Sequence, residues 1–250
     1  MTRRAKLMLP LLAILALAVS GCAKLQARDN LNKGVRAFRD AHYDNAVKYF
    51  QQAVQLDPAL TTAEIYLGTA YAQQYVPNSH ANAENDKNAQ MAIQTFEHVL
   101  QGDPNNVNAI AGLASMYQNL GQEDTKNLRK SHDYYMKYAQ LDDKNPVPFY
   151  AIGSLDWLMV FDKNNPDPQE EQIKTIDEGL ANLDKALALN PDYDDAMTYK
   201  NLLYRQKADR TSAEEDKKKL TDMADEWFNK SLDTRKKNAE KKKSVAVGNN

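Results

Sequence analysis

Cysteine occurs once in this chain, as Cys22. No intramolecular disulfide can form, and a thiolate cluster for a metal is excluded. Glycine and proline are scarce, at nine each in 250 residues, too few for an all-β fold built on many tight turns. Neither sign of charge dominates: 32 basic residues stand against 34 acidic ones, for a formal net charge of −2. No basic domain is present that would track a phosphate backbone, so nucleic acid is not an expected partner. No apolar run reaches the roughly 20 residues that a membrane-spanning helix needs; the run from Leu7 to Val19 is interrupted by Pro10. A Gly-rich phosphate loop, a His-Glu-x-x-His zinc pair and a Gly-x-Ser-x-Gly nucleophile elbow are all missing. His42, His80, His98 and His132 are dispersed. The adjacent acids Asp142-Asp143 and Asp194-Asp195 fall where helix capping explains them. No enzyme activity, metal or cofactor is expected.

What the chain does contain is a helix-forming composition and an addressed N-terminus. Ala, Leu, Lys, Gln and Asp dominate, and β-branched residues are sparse, which favours helix. A basic start (Arg3, Arg4, Lys6) precedes the short apolar run, the layout of a secretory signal peptide. The run ends in Val19-Ser20-Gly21-Cys22. This segment resembles the lipobox of bacterial lipoproteins. The resemblance implies a signal peptide over 1–21, cleavage between Gly21 and Cys22, and lipid on the Cys22 thiol: a diacylglyceryl group plus an N-acyl chain such as palmitate. More than one acyl chain is what stable anchoring requires. Residue Ala23, in place of an Asp, implies the outer membrane of a diderm host. Residues 22–26 then form a lipid-anchored linker.

From residue 27 the chain repeats itself. Residues 43–58, 88–104 and 177–191 each place a small residue, then a large apolar one at +4, a small or apolar one at +7, and Pro at +12. The sets are Ala46, Phe50, Ala53, Pro58; Ala92, Phe96, Val99, Pro104; and Gly179, Leu183, Ala186, Pro191. Offsets of 4 and 7 lie on one helical stripe, and the proline forbids continuation. An earlier helix with its own stripe precedes each: Gly34 with Ala37, Leu67-Gly68 with Tyr71, Leu113-Ala114 with Tyr117, and Ile152-Gly153, where Asp156 stands in the Tyr position. Weaker copies are Ser131, Tyr135 and Tyr138 with Pro146, and Tyr204 followed by Ala224, Phe228 and Ser231.

This order resembles the tetratricopeptide repeat, a helix-turn-helix unit of about 34 residues. The resemblance implies an all-α, right-handed superhelical solenoid of about five repeats over 27–60, 61–106, 107–145, 146–193 and 194–235. In the first repeat nine residues separate Ala37 from Ala46; the later gaps are 21, 14, 23 and 20. The added length predicts loops at 76–87, 121–130, 162–172 and 207–218 along one rim, which contact a partner, are tolerated surface insertions, or in part only lengthen the flanking helices.

Arrays of this kind present a groove lined by their first helices. Carried over, the lining here includes Phe38, Ile65, Gln73, Asn108, Gln118, Tyr150 and Trp157, with Leu31, Val35, Val147 and Ser154 beside them. Phe38 and Trp157 suit either the groove or the core. Chaperone-tail-binding relatives use a Lys and Asn carboxylate clamp; Leu31 and Val35 stand in those places, so no such clamp is expected. Six basic residues against one acid between Arg235 and Lys243 predict a disordered basic tail over 236–250. The expected function is a membrane-anchored scaffold binding one or more envelope proteins. The architecture is similar to that of the repeat lipoprotein of the outer-membrane β-barrel assembly machine and of pilotin lipoproteins. The other reading is a cell-wall-associated protein that binds polymer, or scaffolds hydrolases, through its charged rim and tail.

Overall fold

The computed structural model describes residues 3–79, 83–121, 124–162 and 165–248. The side chains of 1–20, where the signal peptide is expected, His80, and the end of the tail lie outside the described residues. Among the described residues there are ten helices: α1 (Arg3–Arg39), α2 (Tyr43–Leu56), α3 (Thr61–Gln74), α4 (Ala83–Gly102), α5 (Val107–Leu120), α6 (Thr125–Leu141), α7 (Pro146–Phe161), α8 (Gln169–Leu189), α9 (Asp194–Asp209) and α10 (Glu214–Gly248). None is long and apolar enough, among those residues, to cross a membrane. The chain divides into two compact units, residues 1–116 and 117–250.

The small-large-small stripes are what the helices bury. In the first unit Gly34, Ala46, Phe50, Ala53, Gly68, Tyr71, Ala92 and Phe96 are buried; in the second, Tyr117, Gly153, Leu183 and Ala186 are. Each fully buried aromatic or aliphatic side chain contributes about 1.5–3 kcal/mol. The small residues permit that burial by letting helices touch. A Cβ on Gly34 would stand 2.4 Å from the Phe50 ring, and Cβ atoms on Gly68 and Gly112 would stand 2.8 and 2.5 Å from Phe96. Phe96 of α4 is thus held between a glycine of its own repeat and one of the next. Gly153 meets Leu183 in the same way in the second unit.

Four inter-repeat turns share one hydrogen bond. The amides of Leu60, Asn106, Asn145 and Tyr193 donate to the carbonyls of Asp57, Asp103, Asp142 and Asn190. Pro58, Pro104 and Pro191 hold the second position of three of them, where a fixed φ near −65° suits the turn. Asp143 holds it in the other. Pro146, grouped above with Ser131, Tyr135 and Tyr138 in the place of a closing proline, instead opens α7, where its missing N–H costs nothing.

One open alternative is settled and two further expectations are corrected. Much of the added length at 76–87, 121–130, 162–172 and 207–218 is helix, since α4, α6, α8 and α10 start early, at Ala83, Thr125, Gln169 and Glu214, and α9 runs to Asp209. Helix is the least costly way to satisfy backbone groups there. Residues 76–79 are tied to α4 by buried Asn85, which accepts from Val76 N at 2.7 Å and donates to the Val76 and Ser79 carbonyls at 2.9 and 3.0 Å. Phe228, placed by pattern in the core, is 44% exposed. The large residue of a second helix is covered partly by the first helix of the following repeat, as Gly112 covers Phe96, and no helix follows α10 in the described residues. The basic tail is not a disordered arm, because α10 continues through it to Gly248. Arg235 pairs with Asp194 at 2.9 Å, Lys241 with Asp192 at 2.8 Å, and Asn238 donates to the Asp192 carbonyl at 3.0 Å. Carboxylates at the start of α9 offset the like-charge repulsion that would otherwise melt the segment.

Candidate functional site

In the second unit the first helices α7 and α9 build a continuous aromatic surface. Tyr150 and Trp157 lie two turns apart on α7, and Tyr199 of α9 fits between them, its ring edge-on to both at centroid distances of 5.7 and 5.6 Å. Tyr193, at the entry to α9, packs on Tyr150 at 4.7 Å. Phe161 stacks on Trp157 at 4.9 Å and is 54% exposed. Such pairs add about 0.5–1.5 kcal/mol each beyond area burial, so the surface is rigid before anything binds it. The four rings from Tyr150 to Tyr199 are half-buried, leaving one face of the cluster to solvent.

The chemistry of the surface is neutral and amphipathic. Burial raises the hydroxyl pKa of Tyr193 to about 12, with Asp195 and Asp194 adding to it. Burial likewise raises those of Tyr150 and Tyr199, and Asp195 reinforces both. These hydroxyls therefore stay protonated and able to donate. Gln118, on the end of α5 in this unit, accepts from the Tyr135 hydroxyl at 3.3 Å, and Asn145 donates to the Tyr138 hydroxyl at 2.9 Å. Amides and phenols thus alternate with apolar ring faces.

The residues expected in the groove fall into two sets. In the second unit Tyr150 and Trp157 are brought together through Tyr199, with Gln118 on the Tyr135 hydroxyl. Ser154 does not line it; it is 2% exposed and donates to the Ala151 carbonyl at 2.8 Å. In the first unit Phe38 is half-buried against Tyr43 at 5.3 Å, Ile65 is half-buried, and Gln73 and Asn108 are exposed. Among the described residues no hydrogen bond or ring contact links those four to one another. Tyr193, Tyr199 and Phe161 were not anticipated. The signal was present: Tyr199 sits in the first helix of the fifth repeat and Tyr193 just before it, facing Trp157 and Tyr150 of the fourth. Cys22, the expected lipid site, is exposed on α1, and the backbone on both sides of it is helical.

Comparison with known proteins agrees with the helical-repeat fold. Residues 31–60 match the family model of the tetratricopeptide repeat. MamA from Desulfovibrio magneticus RS-1 superposes with a TM-score of 0.61 at 15% identity, over 85% of this chain and 96% of that one. A tetratricopeptide repeat protein from Parabacteroides merdae ATCC 43184 gives 0.60 at 16% identity, over 84% and 66%. YrrB, described as a TPR protein with an unusual peptide-binding site, gives 0.54 at 16% identity, over 82% and 84%. No curated protein matches the sequence significantly. The chain is a tetratricopeptide-repeat protein in fold.

Proposed function

We propose that this protein is a lipid-anchored scaffold of the bacterial envelope that holds an extended segment of an envelope protein against the first-helix surface of residues 117–250. The observation that carries the reading is the aromatic surface of Tyr150, Trp157, Tyr193 and Tyr199. Rigid rings supply contact area at little entropic cost, and interleaved hydroxyls and amides meet the backbone of an extended chain. Val147, 45% exposed, and Phe161 extend the apolar area at its two ends. The peptide-binding site of YrrB, in a similar fold, gives the reading precedent. Anchoring rests on the Val19-Ser20-Gly21-Cys22 segment, and the outer-membrane assignment on Ala23. The surface bears no arrangement suited to catalysis, and the protein acts by bringing partners together at the membrane.

The test is crosslinking in the host envelope followed by capture of the full-length protein, with Trp157→Ala/Tyr199→Ala beside it and thermal melts to confirm that the variant folds. A small set of envelope proteins lost in the folded variant supports the reading. The same set retained by the variant overturns the groove assignment. Separately, Cys22→Ala is expected to move the protein from the membrane fraction to the soluble one and to abolish incorporation of labelled palmitate. An unchanged distribution refutes the anchor.

A further inference from the structure

Asp156 is a buried acid in a position that the repeat pattern reserves for a ring. It is 1% exposed, and it sits on α7 where Tyr71 and Tyr117 stand on α3 and α5. Gly179 of α8 makes its place: a Cβ there would lie 3.0 Å from the Asp156 Cβ and 3.2 Å from Oδ2. Neither carboxylate oxygen accepts a hydrogen bond in the described structure. The nearest cation is the His132 imidazole of α6, whose Nε2 lies 3.2 Å from Oδ1 but is not aligned to donate. A buried carboxylate without hydrogen bonds is costly, and such groups are ordinarily satisfied.

Asp156 lies at the floor of a cleft of about 280 Å³ between α6, α7 and α8, bordered also by Asp133, His132, Thr175 and Glu178, with its own carboxylate oxygens covered. Three carboxylates from three helices thus face one space. Arg129 also borders the cleft, but its guanidinium is paired with Asp167 at 2.7 Å, so the cleft stays acidic. Among the described residues no three metal-ligating side chains converge closely enough to hold a metal ion. The volume is just below that of a drug-sized pocket, roughly 300–1,000 Å³, and leaves room for one side chain. An ammonium carries three donors on a tetrahedral nitrogen and meets acceptors arriving from separate directions; a planar guanidinium prefers one carboxylate edge-on.

We propose that this cleft is a binding site for a primary ammonium group, with Asp156 as the buried counter-ion and Glu178 and Asp133 at its mouth. The group comes either from a lysine side chain of a bound protein or from a free alkylamine. The site lies on the second-helix side of α7 and is independent of the aromatic surface, so its failure leaves the scaffold reading untouched. Burial alone would lower the His132 pKa, but the contact with Asp156 and the charges of Asp133 and Glu178 outweigh it and raise the value. A protonated His132 and a bound ammonium compete for the same carboxylate. Binding therefore strengthens as pH rises through the His132 titration, and a bound amine releases that proton.

The experiment is an NMR titration of the mature protein, with the His132 ring signals as reporter. The probes are n-butylamine, a lysine-containing peptide and Zn²⁺, added to wild type, Asp156→Asn and Glu178→Gln. The expected result is saturable amine binding at pH 8, at least tenfold weaker at pH 6 and in Asp156→Asn, with a lowered His132 pKa in the complex. Glu178→Gln, which keeps Asp156, is expected to weaken binding severalfold and carries the test if Asp156→Asn does not fold. Tighter binding of the peptide than of butylamine assigns the ligand to a partner lysine; equal binding assigns it to a free amine. Unmoved His132 signals, equal binding by the wild type and both variants, or saturation by Zn²⁺ without amine binding overturns the proposal.

Discussion

The guanidinium of Arg210 donates to the backbone carbonyl of Val160, fifty residues earlier, over 2.7 Å. The same side chain donates to the Gln172 side-chain carbonyl at 2.9 Å, and its own backbone carbonyl accepts from Gln169 at 2.7 Å. One arginine thus ties the end of α7, the start of α8 and the end of α9. Arg129 of α6 pairs with Asp167 in the segment between α7 and α8, so that segment is tied to α6 as well as to the end of α9. Arg210→Ala is expected to cost about 2–3 kcal/mol, the scale of charge-assisted hydrogen bonds lost together with a stranded carbonyl. Arg210→Lys, which lacks the planar fork, is expected to recover less than half of that. Chemical denaturation of both variants checks the pair of values.

Two glycines that look alike in sequence are expected to respond in opposite directions. A Cβ at Gly112 would stand 2.5–2.7 Å from three atoms of the Phe96 ring, which is 2% exposed and closed on its other side by Gly68. Overpacking of this kind costs about 1–3 kcal/mol, against about 1 kcal/mol gained in helix propensity. Gly112→Ala is therefore net destabilising. Gly102, also helical, has no atom within 4 Å of its would-be Cβ. Gly102→Ala is expected to stabilise by about 0.4–1 kcal/mol. Melting curves that rise for the first variant or fall for the second would contradict the packing described.

Ala41 joins α1 to α2 with φ at +57°, where an L side chain costs about 1–2 kcal/mol relative to glycine. The turn holds because the Ala41 and His42 amides donate to the carbonyls of Phe38 and Ala37 at 3.1 and 2.9 Å. Ala41→Gly relieves the backbone while keeping both bonds. It is expected to raise stability by roughly 0.5–1 kcal/mol, less than the full relief because glycine loses more entropy on folding. A lowered midpoint in urea would count against the assigned conformation.

Stability should fall as pH rises across the neutral range. Burial raises the Asp156 pKa above 3.8 even against the lowering effect of His132, and His132 is raised above 6.5 by the net effect of its neighbouring acids. Each group holds its proton more tightly in the fold than in the unfolded chain. The stabilisation is fully present below the unfolded value and is lost as pH passes the folded one. Each proton contributes a slope of at most about 1.4 kcal/mol per pH unit. The salt-bridged Asp192 and Asp194, whose pKa values are lowered, act in the opposite sense but only under acid conditions. Melting temperature is thus expected to rise from pH 8 to pH 6 in wild type and to change much less in Asp156→Asn.

The positions that repeat were legible because a packed interface between helices admits few solutions. Ala46, Phe50 and Ala53, or Gly153 and Leu183, announce a close approach by size alone, and each is buried. Pattern failed where the neighbour that completes it differs or is absent among the described residues. Phe228 fits the stripe, but no helix among the described residues follows α10 to cover it. Pro146 fits a turn but opens a helix one turn later. The tail has the charge of a disordered arm, and only its partners Asp192 and Asp194, more than forty residues away, make it helical. The aromatic surface was half legible: Tyr150 and Trp157 follow from their place on α7, whereas Tyr193 and Tyr199 enter through cross-repeat packing. Asp156 was visible as a misfit in the Tyr position, but its relation to His132 and Gly179 depends on how three helices meet.

Both tryptophans of the chain, Trp157 and Trp227, belong to residues 117–250. One is stacked on Phe161, and the other has the Lys200 ammonium 3.9 Å from its ring centre and that of Lys230 at 4.4 Å. Indole fluorescence is therefore a natural optical channel for one half of the molecule, while far-ultraviolet dichroism sums over both. Recorded together during heating, the two signals separate a protein that melts as one cooperative block from one that melts in two, with no label introduced. The same emission, arising in part from the proposed docking surface, would report a partner's arrival there directly.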